Sequence, residues 1–340
     1  MRMKTLLLTA AAVAALGGGL AARATQITGS GATFPDPIYE KWFSDYNKLH
    51  PDVQINYQPI GSGGGITNIL QGTTFFGASD MPMKDEDLAK AADHILHFPT
   101  VLGGVVPIYN VEGAADLKFT GALLADIFLG KVTKWNDKAV TAVNPGVTLP
   151  AADITVVHRS DSSGTSFIWT DYLAKVSPEW KTKVGANTAV KWPTGLSGAK
   201  NDGVAALVKQ TPGAIGYVEL IYALQNSIAL GQVQNANGKF VKASLASVTA
   251  AAAGAAANMP ADFRVSITNA PGDAAYPISS FTWLLLYENP KDKATAKTMN
   301  DFVKWALGDG QKLCAGLGYA PLPANVVKLE LAQLAKIKAQ

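Results

Sequence analysis

The run His158-Arg159-Ser160-Asp161-Ser162-Ser163-Gly164-Thr165-Ser166 gathers the residue types that hold a small oxyanion. Arg159 offers a planar fork matched to two oxygens of one anion, and Asp161, two residues on, is placed to fix that fork. Ser163, Gly164 and Thr165 supply hydroxyls and backbone N–H groups, and Gly164 lets a ligand approach the chain closely. Such groups hold an anion best at the positive end of a helix, where the first N–H groups lack intrahelical partners. Taken alone, the same run also fits an ordinary N-capped helix with a surface ion pair.

The flanking residues supply the elements that position it. Ile154-Thr155-Val156-Val157 is a β-branched run that predicts a buried strand, and Phe167 to Leu173 has the apolar spacing of an amphipathic helix. Two further strand-to-helix turns carry comparable groups. The strand Gln26-Ile27-Thr28 runs into Gly29-Ser30-Gly31-Ala32-Thr33-Phe34-Pro35, and a helix is expected from about Pro35 to Leu49, proline suiting a first helical turn. Val53 to Tyr57 alternates as a strand and enters Gly61-Ser62-Gly63-Gly64-Gly65, with a helix predicted over Ile66 to Gln71. Phe75 to Pro82 reads as an apolar strand ending at the carboxylate of Asp80, by itself a turn or capping aspartate, and Asp85-Glu86-Asp87 begins another helix with the acidic residues its dipole favours.

Residues 1–24 read as an export leader. Arg2 and Lys4 precede the apolar run Thr5 to Leu16, and Ala22-Arg23-Ala24 matches a small-x-small cleavage pattern, so the mature chain is expected to begin at Thr25. The leader's apolar core is too short for a membrane span, and no cysteine stands near the cleavage site to take a lipid. Of 29 lysines and arginines, Arg2, Lys4 and Arg23 lie in the leader, which leaves the mature chain balanced against its 26 acidic residues. That neutrality, without basic blocks, argues against nucleic acid or anionic membranes as partners. Cys314 is the only cysteine, so no intrachain disulfide forms, and its expected role is that of a small core residue.

Several familiar chemistries are poorly served. Gly29-x-Gly31 lacks the third glycine of a dinucleotide fingerprint, Phe34 standing there, and no acidic residue closes a ribose site. The Gly61–Gly65 turn lacks the lysine of a triphosphate loop. His94 and His97 have no third ligand at a sensible spacing, so no metal is expected and solvated or satisfied histidines are the better reading. No Gly-x-Ser-x-Gly elbow is present to activate a serine.

Beyond this point Phe98 to Pro107 predicts a strand crossing between two lobes, as the length of the mature chain exceeds what one core usually organises. Leu117 to Leu129 reads as largely helical, Asp202 to Val208 as a helix start, and Ile215 to Val218 as a short strand after a turn. Ala243 to Ala261 is an alanine-rich surface helix by propensity. Ser266-Ile267-Thr268 and Pro277 to Tyr287 read as strands, the second returning the chain to the first lobe, and Ala294–Leu307 and Ala324–Ile337 as amphipathic closing helices. Strands alternating with helices point to an α/β fold with largely parallel sheets.

The blocks Gly-Ser-Gly-Ala-Thr-Phe-Pro (29–35), Phe-Gly-Ala-Ser-Asp (76–80), Phe-Pro-Thr-Val-Leu-Gly-Gly-Val-Val (98–106), Leu-Gly-Lys-Val-Thr-Lys-Trp-Asn-Asp (129–137), Ser-Gly-Thr-Ser-Phe (163–167) and Pro-Gly-Ala-Ile-Gly-Tyr-Val-Glu (212–219) closely resemble the periplasmic phosphate-binding proteins of ABC-type phosphate uptake. The resemblance covers essentially the whole mature chain. It implies a type II periplasmic binding fold in which lobe I (25–101 and 278–340) and lobe II (102–277) close on one phosphate. It further implies a monomer that delivers phosphate to an inner-membrane ABC permease, with no cofactor and no catalytic residue. By motif, Thr33 and Phe34 would bind through backbone N–H groups, with the Thr33 hydroxyl helping, and Ser62 through hydroxyl and backbone. Ser163, Gly164 and Thr165 would bind from the second lobe. Arg159 would be the only cationic contact, oriented by Asp161, and Asp80 the acceptor. At His158 the chain departs from the family pattern, which favours a second arginine, and a lower surface potential at the cleft is expected. A secreted phosphatase on this scaffold and a binder of another oxyanion are the alternatives.

Overall fold

The computed structural model describes residues 24–339. The expected leader, Ala24 apart, lies outside the described residues. Among them no helix is long and apolar enough to cross a membrane.

The chain opens as strand–helix units: β1 (Thr25–Gly31), α1 (Asp36–Leu49), β2 (Val53–Pro59), α2 (Ser62–Gln71), β3 (Phe76–Ser79) and the single turn α3 (Asp85–Leu88). The long β4 (Ile95–Tyr109) follows, then β5 (Lys118–Phe119), α4 (Gly121–Phe128) and α5 (Lys138–Val143). Next come β6 (Thr155–Arg159), α6 (Gly164–Val176), α7 (Pro178–Lys183), β7 (Leu196–Gly198), α8 (Lys200–Gln210), β8 (Ala214–Glu219) and α9 (Leu220–Gln225). Three short strands, β9 (Ala229–Leu230), β10 (Gln232–Gln234) and β11 (Phe240–Val241), precede α10 (Leu245–Ala257). The chain closes with β12 (Ser279–Tyr287), α11 (Lys293–Leu307), α12 (Gln311–Cys314) and α13 (Ala324–Leu334).

One nine-stranded sheet runs β2-β1-β3-β12-β4-β8-β6-β7, with β9 beside β4, and β11-β10-β5 form a second, small sheet. At its two ends the large sheet is parallel, as strand–helix repeats require: β1 pairs with β2 and β3, and β6 with β7 and β8. Its middle is antiparallel, β12 pairing with both β3 and β4, and β4 with β8. The sheet is therefore mixed, because the returning strand β12 enters between β3 and β4. Every residue of β4 is buried, its first part against β12 and its last five residues against β8.

Local sequence accounts for most boundaries. Pro35 and Pro37 start α1, whose Ile38, Tyr39, Trp42, Phe43 and Tyr46 form one buried face. Gly72, left-handed at φ 66°, ends α2, and a Ser244–Ser247 capping box begins α10. The helix expected from Ile66 starts earlier, at Ser62, and the one expected over Leu117–Leu129 is shorter, capped by Thr120. The strand expected at Ser266–Thr268 does not form. Asp171 on α6 accepts from the hydroxyls of Ser266 (2.6 Å) and Thr268 (2.5 Å), and Lys175 donates to both, so side chains hold this segment where a strand ladder would. Cys314 is buried, as expected of a core residue.

Candidate functional site

The carboxyl ends of β1, β2, β3 and β6 face one another, the place where open α/β sheets put their ligands. The turns that leave these strands carry Thr33-Phe34, Ser62, Asp80 and Arg159 to Thr165. Thr33, Phe34, Ser62, Asp80, Arg159, Ser163, Gly164 and Thr165 are buried, Ser62, Ser163 and Thr165 completely, whereas Asp161 and Ser162 are half-buried and Ser160 is exposed. The β2–α2 and β6–α6 turns touch directly, the Gly63 N–H donating to Ser162 O at 3.0 Å.

The first cradle is fixed by tyrosines. Tyr57, Tyr222 and Tyr319 donate their hydroxyls to the successive carbonyls of Ala32 (2.7 Å), Thr33 (2.6 Å) and Phe34 (2.6 Å). A peptide unit is planar and its N–H points opposite its C=O, so pinning the Ala32 and Thr33 carbonyls aims the Thr33 and Phe34 N–H groups the other way. Neither N–H has a protein partner among the described residues. Gly31, at φ 148°, makes the bend possible, since a Cβ there would lie 2.0 Å from Ala78 O.

Four buried hydroxyls share one arrangement. Ser62 Oγ accepts from the Asp80 N–H (3.0 Å), Ser163 Oγ accepts from the Ser166 N–H (3.0 Å) as the N-cap of α6, and Thr33 Oγ1 (2.9 Å) and Thr165 Oγ1 (3.4 Å) accept from Asn201 Nδ2. A hydroxyl that accepts an N–H keeps its one hydrogen to give away. Thr33, Ser163 and Thr165 have no protein acceptor for that hydrogen among the described residues, and Ser62 has only Asp80 Oδ2, at a long 3.5 Å. The Gly164 and Thr165 N–H groups, in the first turn of α6, are likewise unpartnered.

Arg159 is clamped as its spacing predicts. Nε donates to Asp161 Oδ1 at 2.8 Å and Nη2 to Asp161 Oδ2 at 2.5 Å, and the Lys200 N–H donates to Asp161 Oδ1 at 2.9 Å. Burial raises the Asp161 carboxyl, but the Arg159 guanidinium outweighs it and holds the group below the usual carboxylate range. Nη1 of Arg159 is buried without a partner among the described residues. Asp80 is different. Burial pushes its carboxyl up to about 7, against hydrogen bonding from Thr282 and the charge of Arg159. It sits against α6, where a Cβ on Gly164 would lie 2.5 Å from Asp80 Oδ2 and 2.2 Å from Ser62 Oγ.

The arrangement brings every sequence-predicted site residue into one locus, all of them buried but Asp161. It presents an excess of oriented neutral donors and one clamped cation, with Asp80 as the group able to accept. Ser163 Oγ caps α6, and His158 Nδ1 lies 3.1 Å from Arg159 O while its ring stacks on Trp192 at 4.8 Å. His97 is buried, its Nε2 accepting from the Met83 N–H, and His94 is exposed beside Glu288. Sequence reasoning missed Asn201, Thr282 and the three tyrosines. Asn201 stands beside the helix start recognised at Asp202-Gly203, but nothing local marks it as reaching Thr33.

Residues 18–309 match the model of the PBP superfamily domain. The chain is 48% identical over 308 residues to the phosphate-binding protein PstS of Xylella fastidiosa, covering 90% of this chain and 84% of that one. It is 41% identical over 333 residues to PstS of Methanocaldococcus jannaschii, covering 91% and 85%. A solved high-affinity periplasmic phosphate-binding protein, PfluDING, with phosphate bound, superposes with a TM-score of 0.72 over 91% of this chain and 93% of its own, at 20% identity.

Proposed function

The chain belongs to the PstS family of phosphate-binding proteins and has the type II periplasmic binding fold, and on that premise we propose that it binds inorganic phosphate and delivers it to an ABC-type phosphate import permease. Thr33, Phe34, Ser62, Asp80, Arg159, Ser163, Gly164 and Thr165 make the contacts in this reading, and Asp161 orients Arg159. The carrying observation is that each of the four buried hydroxyls accepts a protein N–H, and that three of them, Thr33, Ser163 and Thr165, have no protein acceptor for their own hydrogen among the described residues, while Ser62 has only the long contact to Asp80. Such a set stabilises an anion by dispersed neutral donors, and each bond to a charged acceptor contributes about 1.5–3 kcal/mol before ordering costs.

Lobe I (25–101 and 278–340) and lobe II (102–277) close over the ligand in this account, moving about the β4 crossing and the return near residue 278. The nearly complete burial of Ser62, Asp80, Arg159 and Thr165 supports a closing motion, since a ligand needs a path in. The leader over residues 1–24 sends the protein to the periplasm, where it works as a monomer and without catalysis. The relatives' names describe binding and not hydrolysis.

Calorimetric titration of anion-stripped protein tests the reading. Phosphate binds with one site per chain, and sulfate binds at least about a hundredfold more weakly, because a site built around a ligand proton rejects an anion lacking one. Heat from sulfate and none from phosphate would overturn it in favour of another oxyanion.

A further inference from the structure

Asn201 is completely buried and joins parts of the chain far apart in sequence. Its Nδ2 lies 2.9 Å from Thr33 Oγ1 in the β1–α1 turn and 3.4 Å from Thr165 Oγ1 in α6, while its Oδ1 accepts from the Glu219 N–H at 3.1 Å. A backbone N–H can only donate, so Glu219 fixes which way the amide faces: oxygen toward Glu219, nitrogen toward the two threonines. Both hydroxyls must therefore accept from Asn201. Their hydrogens are directed elsewhere, and neither has a protein acceptor among the described residues.

A second observation comes from the residue before it. Lys200 opens α8 at φ 62°, a left-handed conformation that residues with a Cβ rarely adopt. In that conformation its N–H reaches Asp161 Oδ1 at 2.9 Å, the same carboxylate that clamps Arg159. Backbone strain persists where surrounding contacts over-determine it, and such places cluster at binding sites. Here the strained start of α8 serves the arginine through Lys200 and the hydroxyls through Asn201.

We propose that Asn201 is a positioning residue for the oxyanion: it makes the Thr33 and Thr165 hydroxyls fixed hydrogen donors and couples the β1–α1 cradle to the α6 cradle around one ligand. The proposal rests on the phosphate reading above. It distinguishes donor orientation from mere packing, because Asn201→Asp keeps the acceptor for the Glu219 N–H yet turns the threonine hydroxyls round, so that they donate to the new carboxylate and offer lone pairs to the ligand.

The test is phosphate titration of the full mature chain, with melting of the phosphate-free proteins as a check on folding. Asn201→Leu weakens phosphate about ten- to hundredfold. Asn201→Asp weakens it further at pH 8 and, compared with the wild type over the same range, partly recovers as the pH is lowered and the introduced carboxyl takes a proton. In a Thr33→Val, Thr165→Val background, Asn201→Leu costs no more than about twofold, since the groups it acts through are gone. If Asn201→Asp does not fold, this cycle with Asn201→Leu decides alone. Wild-type affinity in both single variants, or an undiminished loss in the double-valine background, overturns the inference and leaves the functional reading standing. A wild-type protein that takes up no phosphate overturns the functional reading itself.

Discussion

The hydroxyl of Thr282 donates to Asp80 Oδ1 at 2.7 Å, joining residues 202 positions apart in the chain. The contact arises because β12 inserts beside β3, with Trp283 opposite Ser79 in the antiparallel register. One carboxylate oxygen of Asp80 is thereby committed to the protein, and Oδ2 is left toward Ser62 and Gly164. With the carboxyl near 7, one proton is available at neutral pH to either Asp80 or a bound oxyanion. Monobasic phosphate supplies that proton to ionised Asp80, dibasic phosphate meets the protonated form or brings its own, and sulfate depends on Asp80 for it.

Selectivity is accordingly expected to depend on pH. Asp80→Asn binds phosphate comparably or modestly worse at pH 8, while sulfate affinity rises at least about tenfold, since the amide can donate where a carboxylate repels. In the wild type, sulfate competes better as the pH falls from 8 toward 6, and the asparagine variant loses this dependence. Thr282→Val removes a bond that holds the carboxyl down, so the midpoint of the pH dependence moves up. Competition titrations read all three; an unchanged phosphate-to-sulfate ratio in Asp80→Asn would remove Asp80 as the selectivity element.

Gly164→Ala tests closure. Its Cβ would sit 2.2 Å from Ser62 Oγ and 2.5 Å from Asp80 Oδ2, too close for the two cradles to meet. Alanine suits the first turn of a helix better than glycine, so the ligand-free fold is not weakened. Phosphate affinity should drop by about ten- to hundredfold. Small-angle scattering with saturating phosphate should show a larger radius of gyration than the wild type, and an identical one would sink the closure argument.

Ser163 serves two ends, capping α6 and offering a hydroxyl. Ser163→Ala should weaken phosphate by about 1–3 kcal/mol and also lower stability by about 0.5–2 kcal/mol. Ser163→Gly separates these effects, because glycine at an N-cap costs only a few tenths of a kcal/mol while the hydroxyl is still lost. Neither variant nor the wild type should hydrolyse a chromogenic phosphate ester between pH 5 and 9. Steady turnover abolished by Ser163→Ala would make this protein an enzyme.

Glu330 on α13 is completely buried, with neither carboxylate oxygen bonded among the described residues. Burial pushes its carboxyl well above the ordinary 4.5. A folded-state value above the unfolded one means that the folded chain holds the proton longer, so this contribution is full below about 4.5 and is lost as the pH rises toward the folded value. Glu330→Gln keeps the shape without the titration. Chemical unfolding of phosphate-free protein should show little difference between the two at pH 4, and a variant more stable by at least about 1 kcal/mol at pH 8. Asp80 and Glu219 act in the same direction in both proteins, so the difference isolates Glu330.

What the sequence determined by itself is what the chain does locally. A serine or threonine with glycine at a strand-to-helix turn exposes N–H groups whatever the rest of the molecule does, so Thr33, Ser62 and Ser163–Thr165 were readable as cradles. The Arg159–Asp161 clamp spans two residues and needs no fold to bring it together. Helix α1 and the buried strands followed from apolar periodicity, whereas Ser266–Thr268 misled because β-propensity cannot see Asp171 and Lys175 arriving from α6. Only the tertiary structure decided the rest. Insertion of β12 between β3 and β4 made the sheet mixed and gave Asp80 its Thr282 partner. Asn201, Tyr222 and Tyr319 reach Thr33 and Phe34 from 168, 189 and 285 residues away. The raised Asp80 carboxyl follows from burial, which depends on how many distant atoms exclude water, and no neighbouring residue records that.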